Sequence, residues 1–312
     1  MVGSLGVLVS AVLSAFLRDV VGDALKGLLR AKLSKSRCTF MVCISLCSLL
    51  FLGSAQAEKP NLIQAAVKPI GDVKKALFLG NSFSFYNNGV HNQLGSLVRA
   101  SGDWQAGKNR LRLSTLSGGH IYEHLDDLDF LLEKPKGTWQ AVVLQGHSNE
   151  PISEKKQARF KKSVEQAVKR IKAKKLQPIL LMTWGYKGQS DMSIQLANAY
   201  TSLANELDIL VVPVGVAFWV AEQKLPNIDL FVPDVLRAIK NQDGEASIRY
   251  KKDLKHPSDA GTYLMACVLY ASFYQKSPEG NIFTSGLDPT VALQLQKLSW
   301  LVTQGFYKES KG

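Results

Sequence analysis

Five short apolar runs, each followed by a stretch with helical periodicity, constrain this chain more than any other feature. The runs are Ala76–Gly80, Leu111–Thr115, Ala141–Gln145, Ile179–Thr183 and Ile209–Pro213. Helical spacing of apolar residues occurs at 88–101, 120–133, 154–174, 191–207, 258–275 and 289–306. Strands that alternate with helices form parallel sheets, and right-handed crossovers place the helices on both faces. The pattern therefore predicts a three-layer α/β/α sandwich around a five-stranded parallel sheet.

The first 57 residues are typical of an export signal rather than of a folded domain. An apolar run at 40–52 follows three basic residues and precedes the small-residue sequence Ala-Gln-Ala at 55–57. This order predicts a secretory signal peptide that is cleaved after Ala57. The run is short for a membrane span, so no stable span is expected in the mature chain. Whether Met41 is the true start, and whether the leader is cleaved or kept as an anchor, stay open.

After the leader, residues 58–75 are polar and predict a linker, which leaves 76–312 as one domain. Within it, 216–252 is less regular and is expected to wrap the top edge of the sheet near the final helix. The chain is 46% hydrophobic over 312 residues, enough for a full core. Three of the four cysteines lie in the leader, and Cys267 lies in an apolar helix. No intrachain disulfide or cysteine metal cluster is therefore expected in the mature chain.

The formal net charge of +12 does not by itself indicate a nucleic-acid partner. The densest basic run, from Lys155 to Lys175, carries apolar residues at helical spacing and predicts an amphipathic helix with a solvated basic face. No nucleic-acid motif accompanies this face, so no nucleic acid is expected as a partner. Attraction to acidic polymers or membrane surfaces is the alternative that the basic face leaves open.

Polar motifs follow the apolar runs and are expected to share one rim, because the carboxyl ends of parallel strands meet at one edge of a sheet. In chain order they are Gly80-Asn81-Ser82, Ser117-Gly118-Gly119-His120, Gln145-Gly146-His147-Ser148-Asn149 and Thr183-Trp184-Gly185-Tyr186, with Asp253-x-x-His256-Pro257 before the helix at 258–275.

Ser82, His256 and Asp253 are the candidate catalytic residues. A serine hydroxyl becomes a nucleophile only when a base takes its proton, and His256 supplies an imidazole. Asp253, three residues earlier, is expected to reach the other ring nitrogen within one turn and to hold the tautomer. In the alternative interpretation, Asp-x-x-His-Pro is only a turn whose Ser258 or Asp259 caps the following helix.

An oxyanion formed by attack of Ser82 needs two or three hydrogen-bond donors. The backbone N–H groups of Ser82 and of Gly118 or Gly119 are candidates, because glycine lets the backbone approach closely. The third donor is expected to be Gln145 at the strand end or Asn149 in the loop. We favour Gln145, since a strand end holds a side chain more rigidly, and Asn149 is then a plain loop residue.

Asn81, His120, Trp184 and Trp219 are candidate substrate contacts at the same rim. Aromatic residues after strands either cover the core or form a stacking platform for a sugar ring. His147 is a weaker candidate base, because we identify no carboxylate close enough in sequence to orient it. No His-Glu-x-x-His spacing occurs, so neither a metal nor another cofactor is expected.

The order and content of these blocks resemble the SGNH, or GDSL-type, hydrolase superfamily, and more narrowly a bacterial branch of unassigned substrate. The similar blocks lie between about residues 74 and 275: Gly80-Asn81-Ser82-Phe83, Leu144-Gln145-x-x-Ser148 and Asp253-x-x-His256-Pro257-Ser258. The resemblance implies a flavodoxin-like sheet of strand order 2-1-3-4-5 and ester hydrolysis by Ser, His and Asp. One departure is that the family's Gly-x-Asn-Asp block is replaced here by Gln145-Gly146-His147-Ser148-Asn149.

Together the blocks and the leader predict an exported serine esterase, periplasmic or secreted. Its expected partner is a small-molecule or glycan ester, from which it removes acetyl or another short acyl group. The alternatives are a lipid esterase or thioesterase, an acyltransferase between sugars, and a non-catalytic glycan-binding module on the same fold.

Overall fold

The computed structural model describes residues 61–69, 71–133, 135–240 and 242–307. Within these ranges, the chain from Leu62 onward belongs to one compact unit. The predicted signal peptide, its cleavage site after Ala57 and the alternative start at Met41 lie outside the described residues. None of the helices in the described ranges combines the length and the apolar character that crossing a bilayer requires.

The central sheet has five parallel strands in the order β2-β1-β3-β4-β5, which confirms the predicted fold class and strand order. The strands are β1 (Lys75–Gly80), β2 (Arg110–Thr115), β3 (Ala141–Gln145), β4 (Gln177–Leu181) and β5 (Leu210–Val212). Every residue of β3 is buried, as expected for a central strand with helices on both faces.

Helices follow the strands as the sequence periodicity indicates. They are α1 (Ser82–Phe85), α2 (Val90–Ala100), α3 (Ile121–Leu132), α4 (Gln157–Ala173), α5 (Ser190–Leu207), α6 (Val214–Lys224), α7 (Asp259–Tyr274) and α8 (Pro289–Phe306), and a 3-10 turn spans Glu150–Ile152. The basic run forms α4, which buries Phe160, Val164 and Ile171 and presents its lysines to solvent. Helix α7 is buried along almost its whole length, against α2, α6 and α8.

The segment predicted as irregular contains defined elements. Besides α6 it holds β6 (Phe231–Val232) and an antiparallel hairpin of β7 (Val235–Lys240) and β8 (Ala246–Tyr250). Strand β6 pairs with β9 (His256–Pro257), so that Val232 lies opposite His256. This pairing brings a segment far from the predicted motifs to the imidazole at the rim of the sheet.

The described part of the predicted linker packs on the domain. Leu62, Ala65 and Val73 are buried. The backbone N–H groups of Ile63 and Ala66 each donate to an asparagine side chain of α5, at 2.8 Å. The compact domain therefore begins before the predicted boundary at residue 76. No local pattern signalled this, because these contacts depend on a helix more than a hundred residues away in sequence.

Candidate active site

Ser82 is the first residue of α1, and a tight turn separates it from the end of β1. Asn81 caps the helix, with its side-chain oxygen accepting a hydrogen bond from the N–H of Phe83 at 3.1 Å. Ser82 Oγ lies 2.8 Å from Nε2 of His256. The structure thus brings together a hydroxyl and an imidazole that are 174 residues apart in sequence.

The other nitrogen of the imidazole, Nδ1, is hydrogen-bonded to Oδ1 of Asp234, and not to Asp253. Asp234 is only 8% exposed, whereas Asp253 is exposed and makes no hydrogen bond or ion pair with the described residues. The expectation that Asp253 orients His256 is therefore wrong. It assumed a helical turn between the two residues, but residues 253–255 form no helix and His256 begins a short strand.

The β6–β9 pair explains why Asp234 occupies this position. His256 lies opposite Val232, and Asp234 follows two residues later, in the short connection between β6 and β7. The pairing of β6 with β9 therefore brings this connection next to the imidazole. Lys251 contacts both the backbone and the side chain of Asp234. Its backbone N–H donates to the carbonyl oxygen of Asp234 at 2.8 Å, and its Nζ lies 3.8 Å from Oδ2.

Burial lowers the pKa of His256 below its ordinary value, and the positive charges of Lys255 and Lys251 lower it further, while Asp234 acts in the opposite direction. The imidazole is therefore neutral, and able to accept a proton, at pH values where an ordinary histidine is already charged. Tyr86 stacks on the ring with centroids 4.5 Å apart. Burial and the charge of Asp234 raise the pKa of Tyr86, which keeps its hydroxyl neutral.

The aromatic residues predicted as substrate contacts are buried. Trp184 is 1% exposed and stacks between Phe83 and Phe218, with ring centroids 4.6 and 4.2 Å away. Its Nε1 donates to the carbonyl of Lys255 at 2.9 Å. Trp219 is also buried. These aromatic residues therefore cover the core and do not form a stacking platform for a sugar. Trp184 also anchors the backbone next to His256.

Gln145 and Asn81 form a buried network beneath Ser82, in which Gln145 has both amide hydrogens engaged and Asn81 donates to the carbonyl of Gly119. Gln145 Nε2 donates to Asn81 Oδ1 at 3.0 Å and to the carbonyl of Gly146. Gln145 Oε1 accepts from the N–H of Asn81 at 3.1 Å and from Ser84 Oγ at 2.9 Å. Gly80 is needed here, since a Cβ would lie 2.6 Å from Gln145 Oε1. Gln145 thus holds the nucleophile turn instead of supplying the predicted oxyanion donor, and Asn81 does not face substrate.

The two candidate glycines also differ. Gly119 donates its N–H to the carbonyl of Leu116 at 2.9 Å, and its carbonyl accepts from Asn81 Nδ2 at 2.8 Å. Gly118 is exposed at φ +63°, and its N–H has no partner among the described residues. Asn149 precedes the 3-10 turn, and its side chain caps nothing. Of the predicted backbone donors other than Ser82, Gly118 therefore keeps a free N–H.

His120 and His147 meet above the sheet, with ring centroids 4.4 Å apart. Glu150, a residue that the sequence reading missed, lies between them: Oε1 is 2.9 Å from His120 Nδ1, and Oε2 accepts from the backbone N–H of His147 at 3.1 Å. A carboxylate does therefore lie close to His147 in sequence, but it holds the backbone of His147 and the ring of His120.

Comparisons with known proteins bear on the fold. No family model matches the chain, and no curated protein is significantly similar to it. Among solved structures, a DUF4886 family protein from Bacteroides uniformis is similar at 17% identity with a TM-score of 0.51, over 77% of this chain and 98% of that one. A proposed SGNH hydrolase from Slackia heliotrinireducens is similar at 23% identity and a TM-score of 0.44, over 64% and 99%. An acetyl xylan esterase is similar at 14% identity and 0.46, over 63% and 98%.

Fold and site together define a three-layer α/β/α protein with a serine, a histidine and an aspartate aligned at the carboxyl rim of its sheet. This is the architecture that the resemblance to the SGNH hydrolases implied, with the acidic residue supplied from a different place in the chain.

Proposed function

We propose that this chain is an exported serine esterase that removes acetyl or other short acyl groups from a carbohydrate, with Ser82, His256 and Asp234 as its triad. The observation that carries the proposal is the continuous alignment of Ser82 Oγ, the imidazole of His256 and the carboxylate of Asp234. Three side chains from separate segments meet in the arrangement that activates a serine.

In this mechanism, Ser82 Oγ attacks the acyl carbon while its proton moves to Nε2 of His256. Asp234 stabilises the imidazolium through Nδ1–H. The oxyanion is bound by the N–H groups of Ser82 and Gly118. Collapse breaks the ester C–O bond, and His256 returns the proton to the leaving alcohol. Water then attacks the acyl-enzyme with His256 as base, which releases the carboxylic acid and restores Ser82.

Two features support a short acyl group on a hydroxyl-rich alcohol. Asn81, Phe83, Ser84 and Gln145 are all buried around the nucleophile turn, so the space beneath Ser82 is filled by protein. A long acyl chain therefore has no room below the nucleophile. The rim itself carries polar side chains, His120, His147, Asn149 and Tyr186, which suit the hydroxyl groups of a sugar better than a lipid.

Hydrolysis of p-nitrophenyl acetate by the full chain tests the reaction class. Ser82→Ala or His256→Ala should lower kcat by about 10³–10⁶-fold, because each variant removes the nucleophile or its base. Ser117→Ala, an exposed serine at the same rim, is the matched control and should retain the wild-type rate. Retention of the rate in Ser82→Ala contradicts the proposal.

A series of p-nitrophenyl esters from acetyl to octanoyl tests the acyl preference. We expect kcat/KM to fall as the chain lengthens, because the space beneath Ser82 is filled. A maximum at long chains favours the lipid esterase instead. Export is part of the proposal and rests on residues 1–57 alone; N-terminal sequencing of the protein recovered from outside the cytoplasm checks it.

A further inference from the structure

Two histidines lie over the end of the strand that leads to Ser82. His120 follows β2 and His147 follows β3, and β1 lies between these strands in the sheet. Strands two places apart are about 10 Å from each other. Since the two rings stack with centroids 4.4 Å apart, the two side chains approach each other across the end of β1. The stacked pair therefore borders the turn at which Ser82 begins α1.

A buried carboxylate fixes this pair. Glu150 is 1% exposed, lies 2.9 Å from His120 Nδ1 and accepts the backbone N–H of His147. The N–H of Glu150 in turn donates to the carbonyl of His147 at 2.7 Å. Buried carboxylates persist only where they are paired, so these contacts hold His147 rigidly at the end of β3.

The two nitrogens of His147 differ in their surroundings. Nδ1 is buried without a hydrogen-bond partner, while Nε2 is not enclosed and makes no hydrogen bond with the described residues. Buried unpaired N–H groups are rarer than under-satisfied acceptors, so the proton of the neutral ring belongs on Nε2. Burial, followed by the charges of His120, Lys156 and Lys255, lowers the pKa of His147 to about 4. His147 is therefore a neutral donor over the pH range in which His256 acts as a base.

Two of the other predicted donors are engaged elsewhere. Both amide hydrogens of Gln145 donate within the buried network, and the N–H of Gly119 is bonded to Leu116. We infer that Nε2–H of His147 donates the third hydrogen bond to the acyl oxygen of the tetrahedral intermediate, beside the N–H groups of Ser82 and Gly118. This inference rests on the proposed function. It replaces the amide side chain of the family's third block with an imidazole.

A donor that acts on the oxyanion contributes more as negative charge develops, so its loss appears in kcat rather than in KM. The test compares His147→Phe, which keeps a ring to stack on His120 and removes the donor, with His147→Gln, which keeps a neutral N–H donor. His147→Phe should lower kcat for p-nitrophenyl acetate by about 10²-fold and change KM by less than about threefold. His147→Gln should recover at least about a tenth of the wild-type rate.

Inhibition by phenylboronic acid supplies a second readout, because the boronate forms a tetrahedral adduct on serine. Its Ki should rise in His147→Phe by about the factor by which kcat/KM falls. His91→Phe, a partly buried histidine of α2 outside the site, should leave kcat and Ki unchanged. Thermal melting of each variant separates loss of a donor from loss of the fold.

Two outcomes overturn the inference while the proposed function stands. One is an unchanged kcat and Ki in His147→Phe when Ser82→Ala is inactive. The other is an equal loss in the Phe and Gln variants with a lowered melting temperature, which means that the ring only packs. If wild-type protein neither hydrolyses the ester nor reacts with a fluorophosphonate at Ser82, the proposed function itself fails.

Discussion

Single residues around His256 fix the imidazole from several directions. Asp234 and Ser82 take its two nitrogens, and Tyr86 covers one ring face. Phe83 meets the ring edge-on, with centroids 5.5 Å apart. A base held in this way has one tautomer and one orientation, so the proton of Ser82 has a defined path.

The first prediction concerns the acidic residue. Asp234→Asn should lower kcat by about 10³–10⁴-fold, because an amide holds the wrong tautomer and does not stabilise the imidazolium. Asp253→Asn is the matched control and should change kcat less than about twofold, since Asp253 is exposed and does not contact His256. The kcat values of the two variants with p-nitrophenyl acetate decide which aspartate orients His256. A larger loss of kcat in Asp253→Asn would restore the prediction made from the sequence.

The second prediction concerns the pH dependence of the base. The acid limb of kcat/KM reports the pKa of free His256 and should lie below 6.5, because burial and the nearby lysines lower that pKa. Lys251→Gln removes one of those charges, so the limb should move to higher pH, and the move should be clearest at low ionic strength. Lys252→Gln, the exposed neighbour, should leave the limb in place. A downward shift in Lys251→Gln contradicts this account of the electrostatics.

What the sequence predicts at this scale depends on how local the contact is. Ser82 stands in a short motif at the end of β1 and His256 in one directly before α7, so both were expected at the carboxyl rim of a parallel sheet. Asp234 reaches His256 only through the pairing of β6 with β9, and no local pattern marks that pairing. Gln145 was assigned correctly to the strand end, but the direction of its amide depends on a buried network with Asn81, which only coordinates reveal.

At the scale of elements, the β6–β9 pair links the triad to the most buried helix. The N–H of Ser258, which caps α7, donates to the carbonyl of Leu230 at 2.9 Å. Gly261 in the first turn of α7 packs against the same carbonyl. The distance between α7 and β6 therefore sets the positions of Asp234 and His256 together.

The third prediction tests this link. Gly261→Ala places a Cβ 2.3 Å from the carbonyl oxygen of Leu230, so α7 or β6 must shift. We expect a loss of about 1–3 kcal/mol in the free energy of unfolding and at least about a tenfold loss of kcat in the folded protein. Ala271→Gly in the same helix should cost about 1 kcal/mol and keep kcat. Equal kcat in the two variants at matched folded fraction contradicts the link.

The elements themselves were predicted from periodicity wherever one face is polar. Strands β4 and β5 differ from the prediction by one or two residues at their ends, because apolar loop residues continue the strand pattern. Helix α6 was not predicted because most of its residues are apolar. No polar face is left to mark the helical period in the sequence. The hairpin of β7 and β8 was missed because exposed residues on both faces give no alternation.

At the scale of the whole molecule, its histidines couple stability to pH. The pKa values of His91, His124, His147 and His256 are all lowered, in each case with burial as the largest cause. As pH falls below the unfolded value near 6.5, the unfolded chain binds protons at these sites before the folded chain does. Stability is therefore lost from about pH 6.5 downward, and for His147 the loss is complete near pH 4. Glu222, whose pKa is raised by burial, opposes this trend.

The fourth prediction follows from the opposite effects of the four histidines and of Glu222 on stability in acid. The melting temperature should fall as pH is lowered from 7.5 to 4.5, because the unfolded chain binds protons at these histidines before the folded chain does. Aspartates with lowered pKa values, such as Asp103, lose most of their contribution below about pH 4, so the histidines dominate in this window. His147→Gln removes the imidazole whose pKa is lowered to about 4 and should reduce the dependence of the melting temperature on pH, whereas Lys252→Gln should leave that dependence unchanged. A flat wild-type curve in this window, or an unaltered slope in His147→Gln, contradicts the view that buried neutral imidazoles limit stability in acid.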